Sequence, residues 1–527
     1  MDVILRGGTV VDGTGAAASR ADVGIRAGRI EQVGDLSAAQ APQDVDVTGR
    51  VVAPGFIDVH AHHDWAPFLA PEHDGVRLAN VRQGVTTDVC GNCGTSPFPV
   101  LEGLADELTS SLGTVFAGAF RTFPSLAAYR DELASTPMAT NVAPLVGHGT
   151  VRGSVMGSVD RAPTPDEFER MQRLIAQAME EGAFGMSTGL IYAPGRYAQT
   201  EEIITLAKVV QGFGGRYTTH MRNEGAQVVE AVEEALRIGR ESGAAVEISH
   251  HKVGGEANWG KSQRTLALIA AARDGGMDVG IDVYPYTAAS TGLSAYLPGW
   301  VNAQTVEERR RTLADPESRR RIAEDLGGVM QARAGTKGRD VWELVVIASC
   351  GELDDCIGRS IAEIAQDRGT SAPETVCDLL LHDLATFIIS HGMDADEVRS
   401  IGTQPFAVVG SDGAPLPGRQ HPRTAGAFTR VLGELFRGER SGALEETIHR
   451  MSGASAERFG LHDRGTIARG KVADLVVFDA ATVTDAATFE DPYLPPLGVD
   501  HVLIGGTFVI RDGADTGARA GQLLAPA

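Results

Sequence analysis

The chain has 527 residues, is 43% hydrophobic and contains 64 glycines, which excludes a disordered protein and fits a large packed α/β enzyme. Its formal net charge of -22 argues against nucleic acid or an anionic membrane as partner, and obliges any site for an anionic small molecule to supply its own local cations. No apolar run is long enough to span a bilayer.

In chain order, residues 2–52 read as short strands separated by Gly- and Asp-rich turns, too little β material to stand alone. Runs of the same character recur near the other end, at 471–478 and 501–506. The two termini are therefore expected to pair into one small β-domain, residues 1–53 with 465–527, around a catalytic domain spanning 54–464. From Pro54 onward, apolar strands alternate with helical stretches, as in βα units with a parallel sheet. Candidate strands fall at 55–60, 85–90, 142–147, 183–188, 216–220, 245–250, 278–283 and 407–412. Eight is the number of a TIM-like (β/α)8 barrel. The stretch 224–243 illustrates a crossover helix: Val228, Val232 and Leu236 share one face, and Gly243 stands where a helix ends. More than a hundred residues separate the last two strands, and about 290–345 of these, with helical spacing over 306–330, read as an inserted subdomain. Further helices are expected near 358–369 and 373–383, and apolar runs at 345–348 and 387–389 compete for a place among the strands.

In parallel α/β barrels the chemistry sits at the C-terminal strand ends. The first candidate strand runs into His60-Ala61-His62, two imidazoles that strand alternation turns to one side. The second runs into Cys90-Gly91-Asn92-Cys93, the fifth ends at His220, the sixth at His250 and the eighth at Asp412. Five of eight strands thus end in groups suited to zinc or a similar metal, which scattered placement of 14 histidines would seldom give. Cys93 is the expected ligand of its pair, because the Gly-Asn turn re-aims it, whereas Cys90 is expected to pack as a small hydrophobe. His148, His391 and His421 receive no ligand role. The odd number of cysteines, five, spread through the chain, and an N-terminus without a basic-then-apolar segment, give the expectation of a cytoplasmic protein with reduced thiols.

The ordered motifs FIDVHAHHD, GNCG, THMRNEG, ISHHK, DVYPYTAAST and GSDG followed by HPR resemble the D-aminoacylase (N-acyl-D-amino-acid deacylase) family of the amidohydrolase superfamily, across nearly the whole chain. The resemblance implies one tight zinc held by Cys93, His220 and His250, with His60 and His62 forming a second, often weaker position that shares Cys93. It also implies a catalytic role for Asp412, a carboxylate site made by Lys252 and Arg423, and Tyr192, Tyr284 and Ser290 near the substrate. The residues bear on this too: Lys252 follows His250 by two positions, and arginine, unlike lysine, can grip a carboxylate with two parallel hydrogen bonds. Many amidohydrolases bridge two metals through a carboxylated lysine ending the fourth strand, but residues 183–188 hold no lysine. A thiolate must then take the bridging place.

The implied reaction is zinc-dependent hydrolysis of the amide bond of N-acyl-D-amino acids. Asp412 would accept the proton of the attacking water and return it to the leaving nitrogen. A cyclic-amide hydrolase of dihydroorotase or hydantoinase type is the alternative, and a non-catalytic scaffold the third reading. The partner implied is a small-molecule substrate. Selectivity for D-amino acids rests on the resemblance alone, and neither side-chain preference nor oligomeric state is legible. His391 departs from the family's usual sequence and is expected in a surface loop.

Overall fold

The computed structural model describes residues 1–101, 119–334, 338, 340–351, 353–435 and 443–526. Both chain termini enter one nine-stranded sheet. The junction is the antiparallel pairing of Val51–Pro54 with Leu475–Phe478, in which Val476 faces Ala53. Strands Val3–Val10, Ser19–Arg26 and Arg29–Gly34 lie on one side of it, and Val499–Ile504, Thr507–Arg511 and Ala514–Asp515 on the other. Val52, Leu475, Val477 and Leu503 are fully buried between these halves, so each supplies apolar surface that the other covers.

Between the halves run eight parallel stretches: β1 (Phe56–Asp58), β2 (Val85–Cys90), β3 (Asn141–Pro144, continued as Val146–Gly147), β4 (Gly185–Gly189), β5 (Arg216–His220), β6 (Ala245–Ile248), β7 (Val279–Val283) and β8 (Ala407–Val409). Each pairs in parallel with the next: β1 to β2, β2 to β3, and from Val146–Gly147 through β4, β5, β6 and β7 to β8. Past β1 and β8 the chains meet, because Ala61 bridges Gly413 in parallel and Asp412 N–H donates to His60 O at 2.7 Å.

Three strands are shorter than the sequence pattern implies. β1 stops at Asp58, β6 at Ile248 and β8 at Val409, so His60, His62, His250, Lys252 and Asp412 stand on turns beyond the strands. Strand alternation therefore does not set the direction of these side chains; the turns do. The crossover helix begins at Val228 rather than 224. Asn223 Oδ1 accepts from the backbone N–H groups of Gly225 and Gln227, 2.9 Å each, and holds residues 223–227 in a turn that competes with helix. The helix ends as expected, at Gly243 with φ 76°.

The segment between β7 and β8 departs most from expectation. Ala288–Gly292 pairs antiparallel with Phe387–His391, which pairs with Val345–Ser349. This small sheet extends beyond both ends of the expected insertion at 290–345 and removes the runs at 345–348 and 387–389 from the parallel set. Leu293, Leu313, Ile322, Ile347, Leu379 and Ile388 form its own buried cluster, so residues as late as 391 belong to the same unit. The helical run from 306 is two helices, Val306–Ala314 and Pro316–Gln331, separated at Asp315, whose side chain caps the second. Residues 335–337 and 339 of the expected insertion lie outside the described residues. His391 is the last residue of strand Phe387–His391, not a loop residue, because its neighbours pair on both sides.

Candidate metal centre and catalytic cavity

The strand-end residues meet around one sulfur. Cys93 Sγ lies 3.3 Å from His60 Nε2, 3.6 Å from His220 Nδ1 and 3.4 Å from His250 Nε2. His62 Nε2 is 3.2 Å and His60 Nε2 3.6 Å from Asp412 Oδ1. Two donor groups result, Cys93 with His220 and His250, and His60 with His62, Cys93 and Asp412; within each, the donor atoms lie within 4.8 Å of one another.

The turns that make this convergence are conformationally costly. Cys93 (φ 52°), His250 (φ 36°) and Asp412 (φ 50°) are three of the five non-glycine residues with positive φ among the described residues. Such backbones cost on the order of 1–3 kcal/mol each and persist where surrounding structure forces them. At Cys93 the constraint is visible: a Cβ on Gly91 would stand 2.2 Å from Leu145 O, and one on Gly94 2.7 Å from Gly189 N. Only glycine lets the turn pass this close to β3 and β4. Cys90, still in β2, is buried with a thiol pushed well up by burial, as a packing residue should be.

Burial raises the Cys93 thiol, but the His60 and His250 charges and hydrogen bonds from His220 and His250 outweigh it, holding the group well below the ordinary thiol range. Burial likewise opposes ionisation of Asp412, yet the Arg423 charge, the His250 charge and the His62 hydrogen bond leave it well below the usual carboxylate range. Arg423 Nη1 stands 2.8 Å from Asp412 Oδ2.

Behind the donors lie carboxylates that local spacing did not reveal. Asp282 accepts from His250 N–H at 2.8 Å and faces His60 Nδ1 at 3.4 Å. Asp58 takes the N–H groups of His60 and Ser411 on one oxygen, at 3.1 and 2.8 Å, and the Ser411 hydroxyl on the other. This ties the turn bearing His60 to the one bearing Asp412. Glu224 contacts Lys252 Nζ at 2.6 Å and His250 Nδ1 at 3.0 Å. Asp58, Glu224 and Asp282 all fall inside the sequence motifs, and each also contacts a residue from another part of the chain, Ser411, Lys252 and His60 respectively, which spacing does not signal.

The donor chemistry fits zinc. With zinc–sulfur about 2.3 Å and zinc–nitrogen about 2.0–2.1 Å in a tetrahedron, sulfur–nitrogen edges come to about 3.6 Å. The three Cys93 separations lie within about 0.3 Å of that edge. A thiolate with two imidazoles, followed by imidazoles with a carboxylate, is also a donor set that zinc favours.

Of the donors, His62, Cys93 and Asp412 open into a cavity of about 330 Å³. His62, Cys93, Tyr192, Ser290, Asp412 and Arg423 line it, with Trp65, Leu384, Phe387 and Leu416 as an apolar wall. The Tyr192 ring stands 4.9 Å from that of His220. Lys252 and Tyr284, expected beside the substrate, are not among the lining residues. Lys252 is held by Glu224 and by His250 Nδ1, 2.7 Å away. The Tyr284 ring lies under the Arg423 guanidinium, 4.8 Å from centre to centroid. His421 lines the cavity and is bonded to Ala288 O at 3.0 Å. His148 is buried against Glu202, and His391 packs on the Phe489 ring, so neither joins the donors.

Residues 43–324 and 361–510 match the amidohydrolase family, to which the chain belongs. Within it the chain falls in the D-aminoacylase group. It is 40% identical to a D-aminoacylase of Alcaligenes xylosoxydans xylosoxydans, over 99% of this chain and 97% of that one. It is 39% identical to an N-acyl-D-glutamate deacylase of the same organism, over 99% and 96% of the two chains. The crystal structure of N-acyl-D-glutamate deacylase from Bordetella bronchiseptica, complexed with zinc and a phosphonate mimic of the tetrahedral intermediate, superposes with a TM-score of 0.84. Identity to it is 38%, and the match covers 100% of this chain and 99% of that one.

Proposed function

We propose that this protein is a zinc-dependent hydrolase that cleaves N-acyl-D-amino acids to a carboxylate and the free D-amino acid. The observation that carries the reading is the cavity in which Cys93 joins two metal-binding donor groups while Asp412 and Arg423 stand side by side. Its relatives along the full length are deacylases of D-amino acids, and D-selectivity rests on them. Cys93, His220 and His250 would hold the tighter zinc, and His60 and His62, with Asp412 beside them, the second position. The eight parallel strands are read as a TIM-like barrel over 54–464, with 1–53 and 465–527 as the small β-domain.

Bound zinc would polarise the amide carbonyl and lower the pKa of water toward neutrality. Asp412, 10% exposed toward the cavity, takes the proton of the attacking water as the carbon–oxygen bond forms. It returns that proton to the nitrogen as the carbon–nitrogen bond breaks, so that an amine rather than an amide anion departs. Arg423 receives the substrate carboxylate, which then competes with Asp412 for the guanidinium; loss of that ion pair makes Asp412 more basic when substrate is present. Tyr192 and Ser290 border the bound substrate. Lys252 reaches a substrate carboxylate only by leaving Glu224, so Arg423 is the principal cation and Lys252, with Tyr284, supports it from behind.

The cyclic-amide alternative is disfavoured because β4, Gly185–Gly189, has no lysine to bridge two metals and Cys93 occupies the shared position. A hydrolysis panel tests the reading: N-acetyl derivatives of D- and L-Met, Phe, Glu and Asp together with hydantoins, with and without chelator. Turnover of the D-derivatives that is lost to chelator and restored by zinc is expected. Preferential turnover of hydantoins or L-derivatives would overturn it.

A further inference from the structure

The two histidines flanking Cys93 on the tighter site present opposite ring nitrogens to the sulfur, His220 through Nδ1 and His250 through Nε2. Their remaining nitrogens converge on one carboxylate. Glu224 Oε1 is 3.0 Å from His250 Nδ1, and Oε2 is 3.6 Å from His220 Nε2. His220 Nε2 is buried without a hydrogen-bond partner, so a closure of well under an ångström would give it one. Glu224 is itself fixed: its carbonyl accepts from Gly254 N–H at 2.7 Å, and Lys252 Nζ binds Oε1 at 2.6 Å.

We propose that Glu224 is a positioning residue that selects the tautomers of His220 and His250 and thereby makes the Cys93–His220–His250 position the first to take zinc. An ionised carboxylate only accepts hydrogen bonds, so it holds the protons on His220 Nε2 and His250 Nδ1. The lone pairs of His220 Nδ1 and His250 Nε2 are left directed at the place beside Cys93. A hydrogen bond to the far nitrogen also strengthens an imidazole as a metal ligand. Lys252 makes the opposite demand, since it can donate to His250 Nδ1 from 2.7 Å only when that nitrogen carries no proton. Zinc on Nε2 settles the competition for Glu224, with Lys252 donating to the carboxylate instead. At the other position Asp282 stands 3.4 Å from His60 Nδ1, a contact to one histidine where Glu224 faces two.

This inference rests on zinc filling the site, and the two stand apart experimentally. If the wild-type full chain binds no zinc, the reading of the site falls. If it binds zinc, the affinity of metal-free protein, measured by competition with a chromophoric chelator, tests Glu224. Glu224→Gln is expected to weaken the first zinc about 10- to 100-fold while leaving the second position unchanged. The thiolate-to-metal absorption of the cobalt(II)-loaded protein should weaken in parallel. Lys252→Met should not weaken the first zinc, and the double variant should stay as weak as Glu224→Gln. Should Glu224→Gln fail to fold, Glu224→Asp serves, with an intermediate loss expected. Unchanged affinity in the glutamate variant, or recovery of wild-type affinity in the double variant, would overturn the proposal and make Glu224 a mere counter-ion of Lys252.

Discussion

The two donor groups share Cys93 but are built differently. On one side, His220 and His250 come from neighbouring strand ends, are buried, and have their far nitrogens turned to Glu224. On the other, His62 is 22% exposed to the cavity, and the carboxylate that completes the group, Asp412, is also the ion-pair partner of Arg423. In the proposed reaction the first group only binds metal, whereas the second must release Asp412 for proton transfer and Arg423 for substrate. On the proposed reading, a group that holds a metal and one that moves a proton abut at a single thiolate, and of their histidines only His62 reaches the cavity.

Removing the shared atom should be the most damaging change. Cys93→Ala is expected to take zinc content, measured on dialysed protein, to background and to abolish turnover; one zinc retained per chain would mean the groups are independent. Asp412→Asn should keep the first zinc and lose turnover about 100- to 10,000-fold, the range for loss of a positioned proton carrier. Comparable loss of zinc in that variant would place Asp412 with the binding group instead. Arg423→Ala should raise KM for N-acyl-D-amino acids about 10- to 100-fold, as for a charge-assisted pair, and affect an uncharged amide much less. Equal effects on both substrates would leave Arg423 with Asp412 alone. The smallest effect is expected from His62→Ala: a modest loss of activity that varies with zinc concentration, with tight zinc retained.

The donors themselves were legible because each ends an apolar run, and a histidine, cysteine or aspartate there has few structural reasons to recur. The expected ligands and Asp412 meet in space. The reason they converge was not legible. Strand alternation was the expected device, yet β1, β6 and β8 end before His60, His250 and Asp412, and positive-φ turns aim the latter two. Such turns depend on close approaches such as Gly91 to Leu145, between segments far apart in sequence. Glu224 escaped notice for a related reason: 224–243 reads as one helix, whereas the Asn223 side chain, accepting from the Gly225 and Gln227 N–H groups, holds a turn that brings a carboxylate behind two histidines. The insertion was underestimated because β-type runs at 345–349 and 387–391 carry no mark of whether they pair in parallel or antiparallel. Lys252 lay two residues past His250, but without a strand beneath it the spacing lost its directional meaning.

On the proposed reading, hydrolysis of N-acyl-D-amino acids depends on zinc bound around Cys93. The most direct test is to titrate zinc into metal-free protein while following hydrolysis of N-acetyl-D-methionine and its L-enantiomer. D-activity is expected to rise with the first equivalent of zinc while L-activity stays near background; D-activity that persists without metal, or equal turnover of the two enantiomers, would rule out a zinc-dependent, D-selective hydrolase.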